Sequence, residues 1–171
     1  AEIYDSGLRT WKLVANMSGP RSYHSTTRLL DGSVLLVGGQ GLNGTPTAAA
    51  ERYNPTLDQW SSTGGMTDAR VGHTATLLPT GQVLVSGGRD STGPIGSAEL
   101  FDPITGWNQT GKLNVARTGH TATLLGNGDI LVVGGYGKDG GALASAEIYH
   151  ILNQTTGQGQ WVGANNLQVS R

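Results

Sequence analysis

Three histidines recur in matching surroundings. His24, His73 and His120 stand 49 and 47 residues apart, each three places after an arginine: Arg21, Arg70 and Arg117. Three converging imidazoles would make a metal site. A residue used once per repeat is instead held by the repeat, with its copies a whole unit apart, so a structural role is expected. The arginines, joined by Arg171 at the end of the chain, are expected to bridge adjacent units. Glu2, Glu51, Glu99 and Glu147 are their natural buried partners.

The remaining motifs argue against catalysis. Gly39-Gln-Gly41-Leu-Asn-Gly44 and Gly135-Tyr-Gly137-Lys-Asp-Gly140 both match GxGxxG. A dinucleotide fingerprint also needs a following helix to hold the pyrophosphate, and here another strand pattern follows. Gly106 to Gly111-Lys112 resembles a phosphate loop, but Leu113 stands where Ser or Thr would hold the magnesium. GxSxG and HExxH are absent, and with no cysteine there is no thiolate nucleophile or ligand. No catalytic residue, no metal and no cofactor is expected. Lys and Arg total 11 against 12 Asp and Glu, so no basic excess faces a nucleic acid. No apolar run approaches the ~18 residues of a membrane helix.

The elements that would position these residues come in units of about 50. Arg70-Val-Gly-His-Thr-Ala-Thr-Leu-Leu returns as Arg117-Thr-Gly-His-Thr-Ala-Thr-Leu-Leu, and more loosely from Arg21. Its β-branched alternation predicts a strand. A glycine turn follows (Asp31-Gly32, Thr80-Gly81, Asn127-Gly128), then an apolar run from Val34, Val83 or Ile130. Such a run predicts a strand covered on both faces. After a double glycine (38–39, 87–88, 134–135) comes a third strand at Glu51-Arg-Tyr53, Glu99-Leu-Phe101 and Glu147-Ile-Tyr149. The fourth carries the tryptophan: Trp60, Trp107 or Trp161. Glu2-Ile-Tyr4 and Trp11 supply the last two strands of a further unit. The tyrosines and tryptophans are expected to pack unit against unit.

Four strands, this period, the Gly-Gly doublet and the spaced Tyr and Trp resemble the kelch repeat of β-propellers, in its bacterial-style wording. The resemblance covers nearly the whole chain. It implies an all-β fold of antiparallel four-stranded blades, about three and a half in number: 1–20 an outer half-blade, then blades at 21–69, 70–116 and 117–171. A fragment of a longer propeller, a homo-oligomer joined through open blade edges and a strained four-blade ring are the three readings of that count. Kelch propellers include both binding modules and enzymes. The copper enzymes among them use a cysteine–tyrosine crosslink, which a chain without cysteine cannot form.

Function is then expected where the units differ. The second-to-third strand loops (40–47, 89–96, 136–144) are long and dissimilar, and offer Gln40, Asn43, Arg89, Asp90, Ser91, Tyr136, Lys138 and Asp139. Variable polar loops on a rigid scaffold suit a protein or carbohydrate ligand. The third-to-fourth connection after His150 is longer than its sisters and reads as a tolerated insertion. Sequons at Asn16, Asn43, Asn108 and Asn153 are N-glycosylation candidates. They point to an extracellular or cell-surface protein, while the lack of cysteine fits a cytoplasmic one equally. The leading expectation is a non-catalytic kelch module. The alternatives are part of a kelch enzyme with its catalytic residues elsewhere, and a self-assembling structural segment.

Overall fold

The computed structural model describes residues 1–169; Arg171 lies outside them. Among the described residues there are fourteen strands and no helix. They are β1 (Glu2–Asp5), β2 (Thr10–Leu13), β3 (Ser25–Arg28), β4 (Val34–Val37), β5 (Ala49–Asn54), β6 (Gln59–Gly65) and β7 (Thr74–Leu77). Then come β8 (Val83–Ser86), β9 (Ala98–Asp102), β10 (Gly106–Gln109), β11 (Thr121–Leu124), β12 (Ile130–Val133), β13 (Ala146–Ile151) and β14 (Gly159–Ala164). They form a two-stranded sheet, β1-β2, and three open four-stranded sheets, each pairing antiparallel in chain order. The architecture is an all-β, propeller-like row of three blades preceded by a half-blade. No helix among these residues could cross a membrane.

The apolar second strands explain how blades join. Strand side chains alternate between faces, and β8 buries both. Val83 and Val85 pack with Leu35, Val37 and Ala50 of the blade before. Leu84 packs with Ile130, Val132 and Tyr149 of the blade after. Leu131, the counterpart of Leu84, is only half-buried, because no described blade follows it. The half-blade shows the same dependence. Tyr4 and Trp11 are 49 % and 67 % exposed, whereas Tyr53, Phe101 and Tyr149 are buried. Each Tyr or Phe meets its cross-strand tryptophan within the blade, at ring-centroid distances of 5.1–5.3 Å. Across units Trp161 packs with Leu78, Leu84, Leu100 and Leu113 of the preceding blade, and its Nε1–H donates to Gly111 O there at 2.8 Å.

A buried ion pair ties the segment leading into the first strand of each blade to the third strand. The Arg70 guanidinium, fully buried, donates to Gly87 O, Ser97 O and Glu99. Arg117 repeats this with Gly134 O, Ser145 O and Glu147, and Arg21 pairs with Glu51. Most guanidinium partners lie in the arginine's own repeat unit, but Arg70 Nε–H also donates to Asp68 O and Arg117 Nε–H to Val115 O, both at 3.4 Å and both in the unit before. The arginine backbone adds a second bridge. Arg70 O accepts from Gly39 N–H at 3.0 Å and Arg117 O from Gly88 N–H at 2.8 Å, both across the seam. The long connection after His150 also differs from a merely tolerated insertion. Thr155 O accepts from Gln82, and Gln158 donates to Gln109 O, so it straps the last blade to the one before.

Candidate functional site

The histidines do not converge. His73 Nε2 meets Ser25 Oγ at 2.8 Å and His120 Nε2 meets Thr74 Oγ1 at 3.0 Å, each reaching back one blade. Among the described residues no three of His, Cys, Asp and Glu stand together as a metal site. Burial, with the nearby arginine adding to it, pushes His73 down to about 3 and His120 down to about 4. Both are neutral at pH 7.

This has a consequence for acid stability. A histidine whose folded pKa lies below its unfolded value of about 6.5 binds more protons when unfolded in the window between the two. Stability is full above about pH 6.5 and falls as pH drops toward 3–4. Chemical denaturation at pH 7 and pH 5 should show a loss of about 2 kcal/mol per buried histidine. His120→Gln should flatten that slope by about half. An unchanged midpoint between the two pH values would contradict the neutral seam histidines.

The three long loops between second and third strands stand on matching roots. Gln40, Arg89 and Tyr136 each follow the double glycine, and each is bridged on both sides. Gln40 bridges Ser22 and Pro46, Arg89 bridges Val71 and Pro94, and Tyr136 bridges Thr118 and Ala142. The backbone exchanges are 2.9 and 3.0 Å between Gln40 and Ser22, 2.9 and 3.0 Å between Arg89 and Val71, and 2.8 and 3.1 Å between Tyr136 and Thr118. Three unlike side chains thus occupy one structural position on three consecutive blades. Arg89 and Tyr136 are exposed and Gln40 is half-buried.

The other loop residues divide by what their polar atoms do. Asp90 Oδ1 accepts from Thr92 N–H, Thr92 Oγ1–H and Gly93 N–H. The Thr92 hydrogen bonds hold its carboxyl below the usual aspartate range. Asn43 Oδ1 accepts from Thr45 N–H and Asp139 Oδ1 from Gly141 N–H. These three shape their own turns. Ser91 and Lys138 are exposed. Lys138 borders two surface crevices, about 620 Å³ beside Leu113, Asn114 and Asp139, and about 460 Å³ beside Asp68, Thr92 and Ile95. Gln40 borders a third with Pro20, Arg21 and Leu42. The sequon residues Asn16, Asn43, Asn108 and Asn153 are all exposed.

One residue on this face escaped the loop-based reading. Tyr23, 72 % exposed, adjoins the Ser22–Gln40 bridge. Its signal in the sequence is a departure from the repeat, since glycine stands at the matching places, Gly72 and Gly119.

No family model and no curated protein matches the chain. Among solved structures it is similar to the structure of YjhT, with a TM-score of 0.72 at 18 % identity over 94 % of this chain. The chain spans 56 % of that protein's length. At this identity the likeness is one of fold.

Proposed function

We propose that the chain is a non-catalytic kelch-type propeller module that binds a protein or carbohydrate partner on the face carrying the three long loops. The observation that supports this is the contrast at their roots. The backbone is pinned identically three times, while the side chains there are Gln, Arg and Tyr. Rigid roots with unlike tips are how scaffolds present recognition residues. Arg89→Ala and Lys138→Ala should leave thermal unfolding unchanged, because both side chains are exposed. They should weaken binding to members of a displayed peptide library or a printed oligosaccharide array by roughly tenfold. Undiminished binding by both variants would count against this face.

A second reading, assembly with further copies, is favoured by one observation. Tyr4 and Trp11 of the half-blade are exposed where every sister tyrosine or phenylalanine is buried. Sedimentation over a range of concentrations separates the two readings.

A further inference from the structure

We propose that Tyr23 is an anchor for a polypeptide partner that presents a carboxylate beside an apolar side chain. This rests on the binding-face reading and narrows it to one ligand class.

The first observation is a conformation with no internal return. Residue 23 has φ +54°, in the left-handed region, and the matching Gly72 and Gly119 have φ +62° and +65°. The fold imposes this geometry at every copy, and glycine adopts it without strain. For a bulky residue it is an outlier. Asp58, another non-glycine residue at positive φ, accepts hydrogen bonds from Tyr53 Oη–H and Ala15 N–H. Arg9 occupies the same hairpin corner one unit earlier. Tyr23 has no such use: the residue is 72 % exposed, and its hydroxyl makes no hydrogen bond among the described residues.

The second observation is a row. The Tyr136 ring lies over Gly119, with its Cδ2 3.8 Å from where a Cβ would stand. It covers the spot from which Tyr23 projects in the first blade. First and third blades therefore carry an aromatic ring at one location by different routes, and Arg89 stands at the Tyr136 position of the blade between them. Leu42, 91 % exposed, projects from the adjoining loop. Arg89 and Lys138 form no ion pair among the described residues, while Asp90 and Asp139 each spend an oxygen on their own turn. Exposed Tyr and Arg among Gly, Ser and Asn is the make-up of a protein-binding surface. An exposed leucine fits an apolar side chain better than a hydroxyl-rich sugar, and the two cations fit a carboxylate.

The test pairs stability with binding, using Tyr23→Gly and Tyr23→Phe and a phage library of random twelve-residue peptides. Tyr23→Gly should melt about 1–3 °C higher than the parent, as relief of backbone strain requires. It should lose at least tenfold in affinity for the acidic, apolar-containing peptides that the parent enriches. Tyr23→Phe should keep that affinity within about twofold. Failure of the parent to enrich any peptide would overturn the inference, as would unchanged binding or a lowered melting temperature for Tyr23→Gly. Peptide binding that depends on Arg89 but not on Tyr23 would remove the anchor and leave the binding face standing. Oligosaccharide binding alone would remove the polypeptide class, and binding to neither probe would remove both.

Discussion

Arg117→Ala is expected to cost about 3–5 kcal/mol, a large share of what holds a domain of this size. The Arg117 side chain is fully buried, with Glu147 at 3 % exposure beside it. Its guanidinium donates to Gly134 O at 2.8 Å, to Ser145 O at 2.9 Å and to Glu147 at 3.0 Å. Truncation takes the side-chain donor from Gly134 O and the counter-charge from a buried carboxylate, while Ser145 O keeps only its bond from Gly134 N–H at 3.2 Å. Glu147 would keep its bonds from Asn114 and Val115 N–H, which moderate the loss without removing the charge. Arg52→Ala supplies the contrast. Arg52 also pairs with a carboxylate, that of Asp31, but at the surface, with side chains 29 % and 51 % exposed, and such pairs contribute about 0–1 kcal/mol. Urea midpoints of the two variants check the claim, and equal shifts would contradict it.

Gly88→Ala is expected to be nearly as damaging, at about 3 kcal/mol, although it adds a single methyl. Residue 88 has φ +95°, and a Cβ there would lie 2.8 Å from Val71 O and 3.0 Å from His73 Cβ. The backbone cannot move aside cheaply, because Gly88 N–H is the donor that reaches Arg117 O in the next blade. Gly163→Ala is the control. It lies in β14 with open space around it, and should be neutral or slightly stabilising. Thermal unfolding of both variants decides the matter, and a mild Gly88→Ala would show that, within the blade, the double glycine and the Val71–His73 backbone approach less closely than described.

The blade was legible in the sequence because its landmarks are spaced by the strand period and repeated. The run Val83-Leu84-Val85 reads as a strand buried on two faces, and the two faces meet different blades. Less legible was which contacts cross a seam. Arg70 and Glu99 are 29 residues apart in one unit, so pairing within and between units look alike in a periodic sequence. The double glycine was visible as a landmark but not as a point of backbone approach, since the atoms it avoids are far away in sequence: Gly87 faces Arg117 O of the next blade and Gly88 faces Val71 O of its own. On the loop-bearing face, loop length singled out Gln40, Asn43, Arg89, Asp90, Ser91, Tyr136, Lys138 and Asp139. Asn43, Asp90 and Asp139 have the composition of ligand contacts, but their oxygens shape turns. Tyr23 could have been found by asking where one repeat breaks a glycine that the others keep.

Residue-resolved amide hydrogen exchange tests the joined-blade account most directly. Gly39 and Gly88 lie outside every strand, yet each donates its amide to an arginine carbonyl of the following blade. Their amides should exchange as slowly as that of Leu84 in the middle of β8, and together with it, as members of one cooperative unit. Exchange of Gly39 and Gly88 at the rate of an exposed loop, with Leu84 still protected, would mean that the sheets form without being locked to one another.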